Sequence, residues 1–161
     1  ETFARLYRDF DNIVGIKETT KDFEHFSYVF HKCGKDVLMW SGIELLCLPL
    51  LALGGIGFIS ALANIAPQAV SDMFWAYEEG NHERAREIHY GVHPLVDLLF
   101  VETNPAPGKY VLERMGLIKS GFVRPPLITP TPGGIDKIES LLAEGEKWIT
   151  PVLPEFDMRR K

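Results

Sequence analysis

Asn12-Ile13-Val14-Gly15-Ile16-Lys17 is a short apolar, β-branched run closed by a lysine, and it reads as a buried strand. Working downstream, Asp22 caps a helix that runs to about His31, with Phe23, Phe26 and Phe30 at helical spacing and Gly34 as its stop. Val37 to Ser41 reads as a second strand. Leu45 to Leu53 reads as a helix stopped by Gly54-Gly55, and Gly57 to Ser60 as a third strand. Strands alternating with helices imply parallel pairing, and strands apolar on both faces suit a sheet covered on both sides. Three such strands cannot close a barrel, so the fold class is α/β, either part of an eight-stranded (β/α)8 (TIM) barrel or part of an open sheet. Upstream, Thr2 to Arg8 reads as the end of a helix. Because the chain opens without Met, it is expected to be a fragment of a longer polypeptide.

Beyond residue 66 the pattern is helical. Pro67 suits the first turn of a helix running to about Glu79, and Asn81 caps a long helix from His82 to about Val101. Asn104-Pro105 and Pro107 interrupt the pattern, which resumes from Lys109 to Met115 and closes at Gly116. Residues 120–134, rich in Pro and Gly, read as an extended loop, and Ile135 to about Trp148 as the last helix. The division expected is a barrel portion over 1–66 and a helical C-terminal region over 67–161.

Composition narrows the function classes. Of 161 residues, 46% are hydrophobic and 24% charged, ordinary values for a globular domain. The net charge of −5 and the absence of a basic run argue against a nucleic-acid partner. Cys33 and Cys47 fit no metal spacing and are too few for a disulfide framework, so a reduced, cytoplasmic setting is the default. The longest apolar stretch, Leu45 to Ala66, is broken by Pro49, Gly54, Gly55, Gly57, Ser60 and Asn64, which argues against a membrane helix. Glu1 to Phe10 is charged throughout, unlike a signal peptide.

The residue with the most chemical potential is Lys17, at the C-terminal end of a strand, where reacting groups project in a barrel. Desolvation among Ile16 and its apolar neighbours would favour the neutral amine that a nucleophile needs. Position alone favours a Lys17 that leaves the sheet edge and points into water, as most lysines do. Ser41-Gly42 ends the second strand and leaves room beside it, as either a site or a strand-to-helix turn. Gly54-Gly55-Ile56-Gly57-Phe58-Ile59-Ser60 is a glycine-rich turn that precedes a strand, so it is not a dinucleotide fingerprint. It can admit a ligand to the backbone or simply make a tight turn. Glu102-Thr103-Asn104-Pro105 reads as a helix-helix corner. His89 and His93 share a helical face at i, i+4, but no nearby Glu completes a zinc motif, and no metal site is expected. His25, His31 and His82 read as solvated helix positions.

Taken in order, Gly15-Ile16-Lys17-Glu18-Thr19-Thr20, Ser41-Gly42, Gly54 to Ser60 with Asn64-Ile65-Ala66-Pro67, and Glu102-Thr103-Asn104-Pro105 with Lys109 resemble the dihydrodipicolinate synthase/N-acetylneuraminate lyase family. Each motif is weak by itself; four in this order are specific. The resemblance spans about residues 3–145. It implies a (β/α)8 barrel followed by a C-terminal helical domain, with this chain holding strands six to eight. It also implies a Schiff base between Lys17 and pyruvate, with no other cofactor, whose enamine adds to an aldehyde. Gly42, with Ser41 beside it, would line the substrate pocket. The backbone at Ile59 would close it, and Asn104 would lie near it. Family members are commonly tetramers, which implies a homo-oligomer; exposed sheet edges offer another route to association.

Two departures stand out. Ile43 precedes Glu44 where synthases carry acidic residues directly after Ser-Gly, which leaves the aldehyde open. The family's Gly-Thr-Thr-Gly-Glu carboxylate pocket and its proton-relay Tyr do not occur in these residues, so the chain alone is expected to be almost inactive. Other readings are a sugar-acid or 2-keto-3-deoxy acid aldolase of the same family, and a non-catalytic binding or assembly module.

Overall fold

The computed structural model describes residues 1–149. The last part of the expected 67–161 region, residues 150–161, lies outside the described residues. Two compact units emerge, one of residues 1–60 with 73–89, the other of 61–72 with the described residues from 90 on.

The first unit opens with helix α1 (Thr2–Asp9) and strand β1 (Gly15–Glu18), followed by α2 (Phe23–Cys33) and β2 (Leu38–Ser41). The Asp22 carboxylate accepts the Glu24 N–H at 3.1 Å and starts α2. Gly34, at φ +86°, ends it with its N–H on Phe30 O, a backbone region that glycine enters without steric penalty. The helix expected over Leu45–Leu53 begins as a 3-10 turn (Glu44–Leu46) and continues as α3 (Cys47–Ala52). Pro49 falls in its first turn, where its missing N–H costs nothing. Strand β3 (Gly57–Phe58) is shorter than the expected Gly57–Ser60.

The sheet is parallel throughout, in the order β1-β2-β3. Its register pairs Ile16 with Met39, Lys17 with Trp40 and Glu18 with Ser41, then Trp40 with Gly57 and Ser41 with Phe58. Side chains alternate between faces along a strand, and paired residues share a face. Ile16 and Met39 therefore point one way, and Lys17, Trp40 and Gly57 the other. The first face carries the core: Phe26, Val29, Met39 and Leu50 are buried, with Phe3, Ile16, Phe23, Phe30, Cys33 and Leu46 packed against them. Phe26, Met39 and Leu50 are fully enclosed, which contributes about 1.5–3 kcal/mol per side chain.

The expectation of strands buried on both faces fails for β1, whose residues are half-buried or exposed. As an edge strand it has one neighbour, and helices cover one of its faces. In β2, between two strands, Met39 and Ser41 are buried and Leu38 and Trp40 half-buried.

Helix α4 spans Pro67–Glu78. The single helix expected from His82 to Val101 is two helices, α5 (His82–Gly91) and α6 (His93–Leu99). Pro94 is the reason: it has no N–H for a bond back into α5, and it sits in the first turn of α6. His89 and His93 thus belong to different helices. In the second unit α6 packs against α7 (Ala106–Arg114) and α8 (Pro132–Gly145) around buried Leu95, Leu98, Leu99, Val111 and Ile138. Both α7 and α8 begin about three residues before the expected starts, because Pro107 and Pro132 lie in first turns where proline suits a helix. Thr131 caps α8 through its hydroxyl, which accepts the Gly134 N–H at 3.1 Å. Among the described residues no helix is long and apolar enough to cross a membrane.

Candidate active site

Lys17 and Gly42, separated by one strand and one helix in sequence, meet at the C-terminal edge of the sheet. A methyl group in place of the Gly42 hydrogen would overlap Lys17 Cε and lie 2.7 Å from Thr19 Oγ1. Gly42 is therefore a shelf without a side chain on which the lysine stem rests. The Gly42 N–H donates to Glu18 O at 2.7 Å, which carries the β1–β2 ladder one residue beyond the strands.

The dry cavity expected around Lys17 is not built by these residues: its side chain is exposed. The physical reason is its place on an edge strand, on the face opposite the helices, over a glycine that offers no cover. The amine is nevertheless held near the expected partner and not sent off the sheet edge.

Ser41 lies on the other face. It is fully buried, and its hydroxyl donates to Ile43 O at 2.9 Å and accepts the Ile43 N–H at 3.2 Å. Both bonds shape the turn that follows β2 and presents Gly42. Ile59 is 49% exposed, and its N–H donates to Ser41 O at 2.9 Å. Two residues beyond Gly57, it continues on the Lys17 face by alternation. Asn104 is exposed between α6 and α7, in the second unit, and precedes a cis peptide to Pro105.

Residues outside the expected set complete the arrangement. Glu18 Oε1 accepts the N–H groups of Thr19 at 2.8 Å and Thr20 at 3.1 Å, while Oε2 lies 3.0 Å from His25 Nε2 of α2. His25 is exposed, as expected of a solvated helix position, but it is also the far anchor of this carboxylate. An acidic residue directly before two threonines at a strand end was the available signal, since such a carboxylate can close the next two amides.

Glu44, the acidic residue displaced by Ile43, is buried, and Ser60 Oγ donates to its Oε1 at 3.0 Å. Near it, burial pushes the Cys47 thiol up to about 12, with the Glu44 carboxylate adding to the rise and a Ser41 hydrogen bond opposing it. A thiol so held is no nucleophile at neutral pH. Among the described residues no group of three or more His, Cys, Asp or Glu is placed to hold a metal ion.

In the second unit the Glu102 carboxylate accepts from Thr131, from its N–H at 3.2 Å and its hydroxyl at 2.5 Å. This ties the corner that carries Asn104 to the start of α8.

The model of the Dihydrodipicolinate synthetase family matches residues 1–144. The 4-hydroxy-tetrahydrodipicolinate synthase of Archaeoglobus fulgidus is 41% identical over 139 residues, which are 86% of this chain and 48% of that protein. The dihydrodipicolinate synthase of Aquifex aeolicus superimposes with a TM-score of 0.85 at 34% identity, over 92% of this chain and 50% of that one. The Acinetobacter baumannii dihydrodipicolinate synthase, solved in complex with pyruvate, gives 0.82 at 31% identity, over 90% and 49%. This chain thus spans about half the length of the relatives it matches. Its α/β fold covers part of their barrel. With residues 1–144 matched by the family model and 41% identity to a relative over 86% of this chain, the chain belongs to the dihydrodipicolinate synthetase family.

Proposed function

We propose that this chain supplies the imine-forming part of a class I pyruvate-dependent lyase of the 4-hydroxy-tetrahydrodipicolinate synthase kind. The observation that carries the reading is the placement of Lys17 against Gly42 at the C-terminal edge of parallel strands, within the family's motif order. Reacting groups of α/β barrels occupy that edge.

In this reading the neutral Lys17 amine adds to the ketone carbon of pyruvate. The carbinolamine loses water to give the imine, with the nitrogen bonded to C2. A proton leaves the C3 methyl and the electron pair becomes the enamine double bond. The enamine carbon attacks an aldehyde carbon, which forms the new C–C bond and leaves an alkoxide to be protonated. Hydrolysis of the resulting imine, or its capture by an amine of the product, restores Lys17. No other cofactor enters. Gly42 leaves room for the keto acid beside the stem, the backbone around Ile59 borders the same face, and Ser41 holds the turn. Asn104 is read, from the family motif alone, as a further substrate-binding residue. The helices from α4 onward are read as the family's C-terminal helical domain, and the strands as barrel strands six to eight. Two free cysteines accord with a cytoplasmic setting.

Imine formation needs the acid to be oriented and protons to be moved. The described tyrosines, Tyr7, Tyr28, Tyr77, Tyr90 and Tyr110, all lie within helices, and these residues bring no evident carboxylate cradle. The chain by itself is therefore read as part of a larger catalyst, close to inactive alone.

The test is borohydride reduction in the presence of pyruvate, followed by peptide mass mapping. It is applied to this chain alone and to this chain co-expressed with the other half of a relative's barrel. An adduct on Lys17, faster in the second sample, supports the reading. No adduct on Lys17 in either sample overturns it and favours a binding or assembly module.

A further inference from the structure

We propose that Glu18 is a positioning residue for Lys17, anchored by His25, and that it acts through the backbone without touching substrate. This rests on the reading of Lys17 as the imine-forming amine.

Register places Glu18 opposite Ser41, on the helix-covered face, so its carboxylate points away from the face that carries Lys17. Its side chain is only 13% exposed, and its contacts are to the turn and to α2. One oxygen closes the amides of Thr19 and Thr20, the first residues after β1, where the chain would otherwise be free to swing. The other meets His25 Nε2 at 3.0 Å and fastens that turn to the first turn of α2. The same residue's main-chain oxygen takes the Gly42 N–H at 2.7 Å. Thr19 Oγ1 then reaches the place where a Gly42 side chain would begin.

Glu18 thus joins the three backbone pieces that define where the Lys17 stem can lie: the end of β1, the shelf at Gly42 and the start of α2. Lys17 itself has four rotatable bonds, and an amine that samples many positions spends little time within attacking distance of a carbonyl. Fixing the adjacent peptide units removes part of that freedom. This is a contribution to orientation, not to proton transfer.

The test uses the rate of pyruvate trapping on Lys17 together with a probe that needs no reaction. Glu18→Ala is expected to lower the maximal trapping rate about tenfold or more, with little change in the pyruvate concentration giving half that rate, because Glu18 does not touch pyruvate. Glu18→Gln keeps an acceptor oxygen for the Thr19 and Thr20 amides and is expected to recover most of the loss; His25→Ala should fall between. In parallel, the nuclear Overhauser contact between the Lys17 ε-methylene and the Gly42 α-protons should be present in the unsubstituted chain and in Glu18→Gln, and lost in Glu18→Ala. If that contact persists at full strength in Glu18→Ala, or if its trapping rate per folded molecule is unchanged, the positioning role is overturned. Absence of any adduct in the unsubstituted protein would instead remove the reading of Lys17, while the Overhauser contact would still decide what Glu18 holds.

Discussion

At the residue scale, the arrangement turns on atoms that are not there. Gly42 lacks the carbon that would occupy the path of Lys17. The two side-chain atoms in its way, Lys17 Cε and Thr19 Oγ1, belong to flexible ends that can move aside. Gly42→Ala should therefore fold with a small loss of stability but displace the amine, so that trapping of pyruvate on Lys17 falls about tenfold to a hundredfold; comparing trapping rate with melting temperature separates the two effects. Cys47 offers a prediction of a different kind. Its thiol rises from 9.0 to about 12 on folding, chiefly through burial. For an acid whose folded value is raised, the folded state prefers the protonated form. The associated stability is fully present below pH 9, where the unfolded thiol is also protonated, and is lost as pH climbs from there through 12. Melting temperature should drop across that window, and Cys47→Ala should flatten the drop while costing some stability at neutral pH. The Tyr110 hydroxyl, raised by its bond to Glu139, contributes in the same alkaline direction, so a Tyr110→Phe control isolates the thiol.

At the scale of elements, two joints should be sensitive. A Cβ on Gly15 would strike Leu38 O and lie 2.7 Å from Leu38 Cβ and 2.8 Å from Leu38 C. Two of these three atoms are backbone of the paired strand, which cannot rotate away as a side chain end can. Gly15→Ala should push β1 off β2 and destabilise by about 1–3 kcal/mol, read from urea unfolding, and amide exchange across β1 should accelerate. The other joint is the start of α8. Thr131 caps the helix, and Glu102 in turn accepts from Thr131. Thr131→Ala and Glu102→Ala should each cost about 1 kcal/mol. Because they remove one shared network, the double substitution should cost less than the sum; full additivity would show that the two groups act independently.

At the scale of the molecule, β1 and β3 each carry one paired and one outward edge. An edge presents a row of unpaired N–H and C=O groups to any compatible strand, and short length and charge are what temper it. Here β3 is two residues long and β1 ends in Lys17-Glu18. Association that rises with concentration in sedimentation experiments is the expected behaviour. A monomer across the whole range would mean that these two devices suffice.

The β-α-β-α-β order, the Asp22 cap, the stops at Gly34 and Gly54 and the helix at Pro67 are all legible in the amino-acid sequence. They follow from apolar period and from what Gly, Pro and Asp do to the backbone beside them, which are local effects. The same local logic, applied to apolar period alone, runs one helix through Pro94, whose missing N–H splits α5 from α6. The motif order points to Lys17 and Gly42 as partners. Only tertiary structure decided how they meet, because contact across two strands depends on parallel register, and no spacing along the chain specifies it. Tertiary structure likewise left Lys17 exposed, turned the Ser41 hydroxyl into its own turn and made Glu18 and His25 a clamp. Burial and hydrogen bonding are properties of what other elements bring alongside a residue, and the residue's own identity does not contain them.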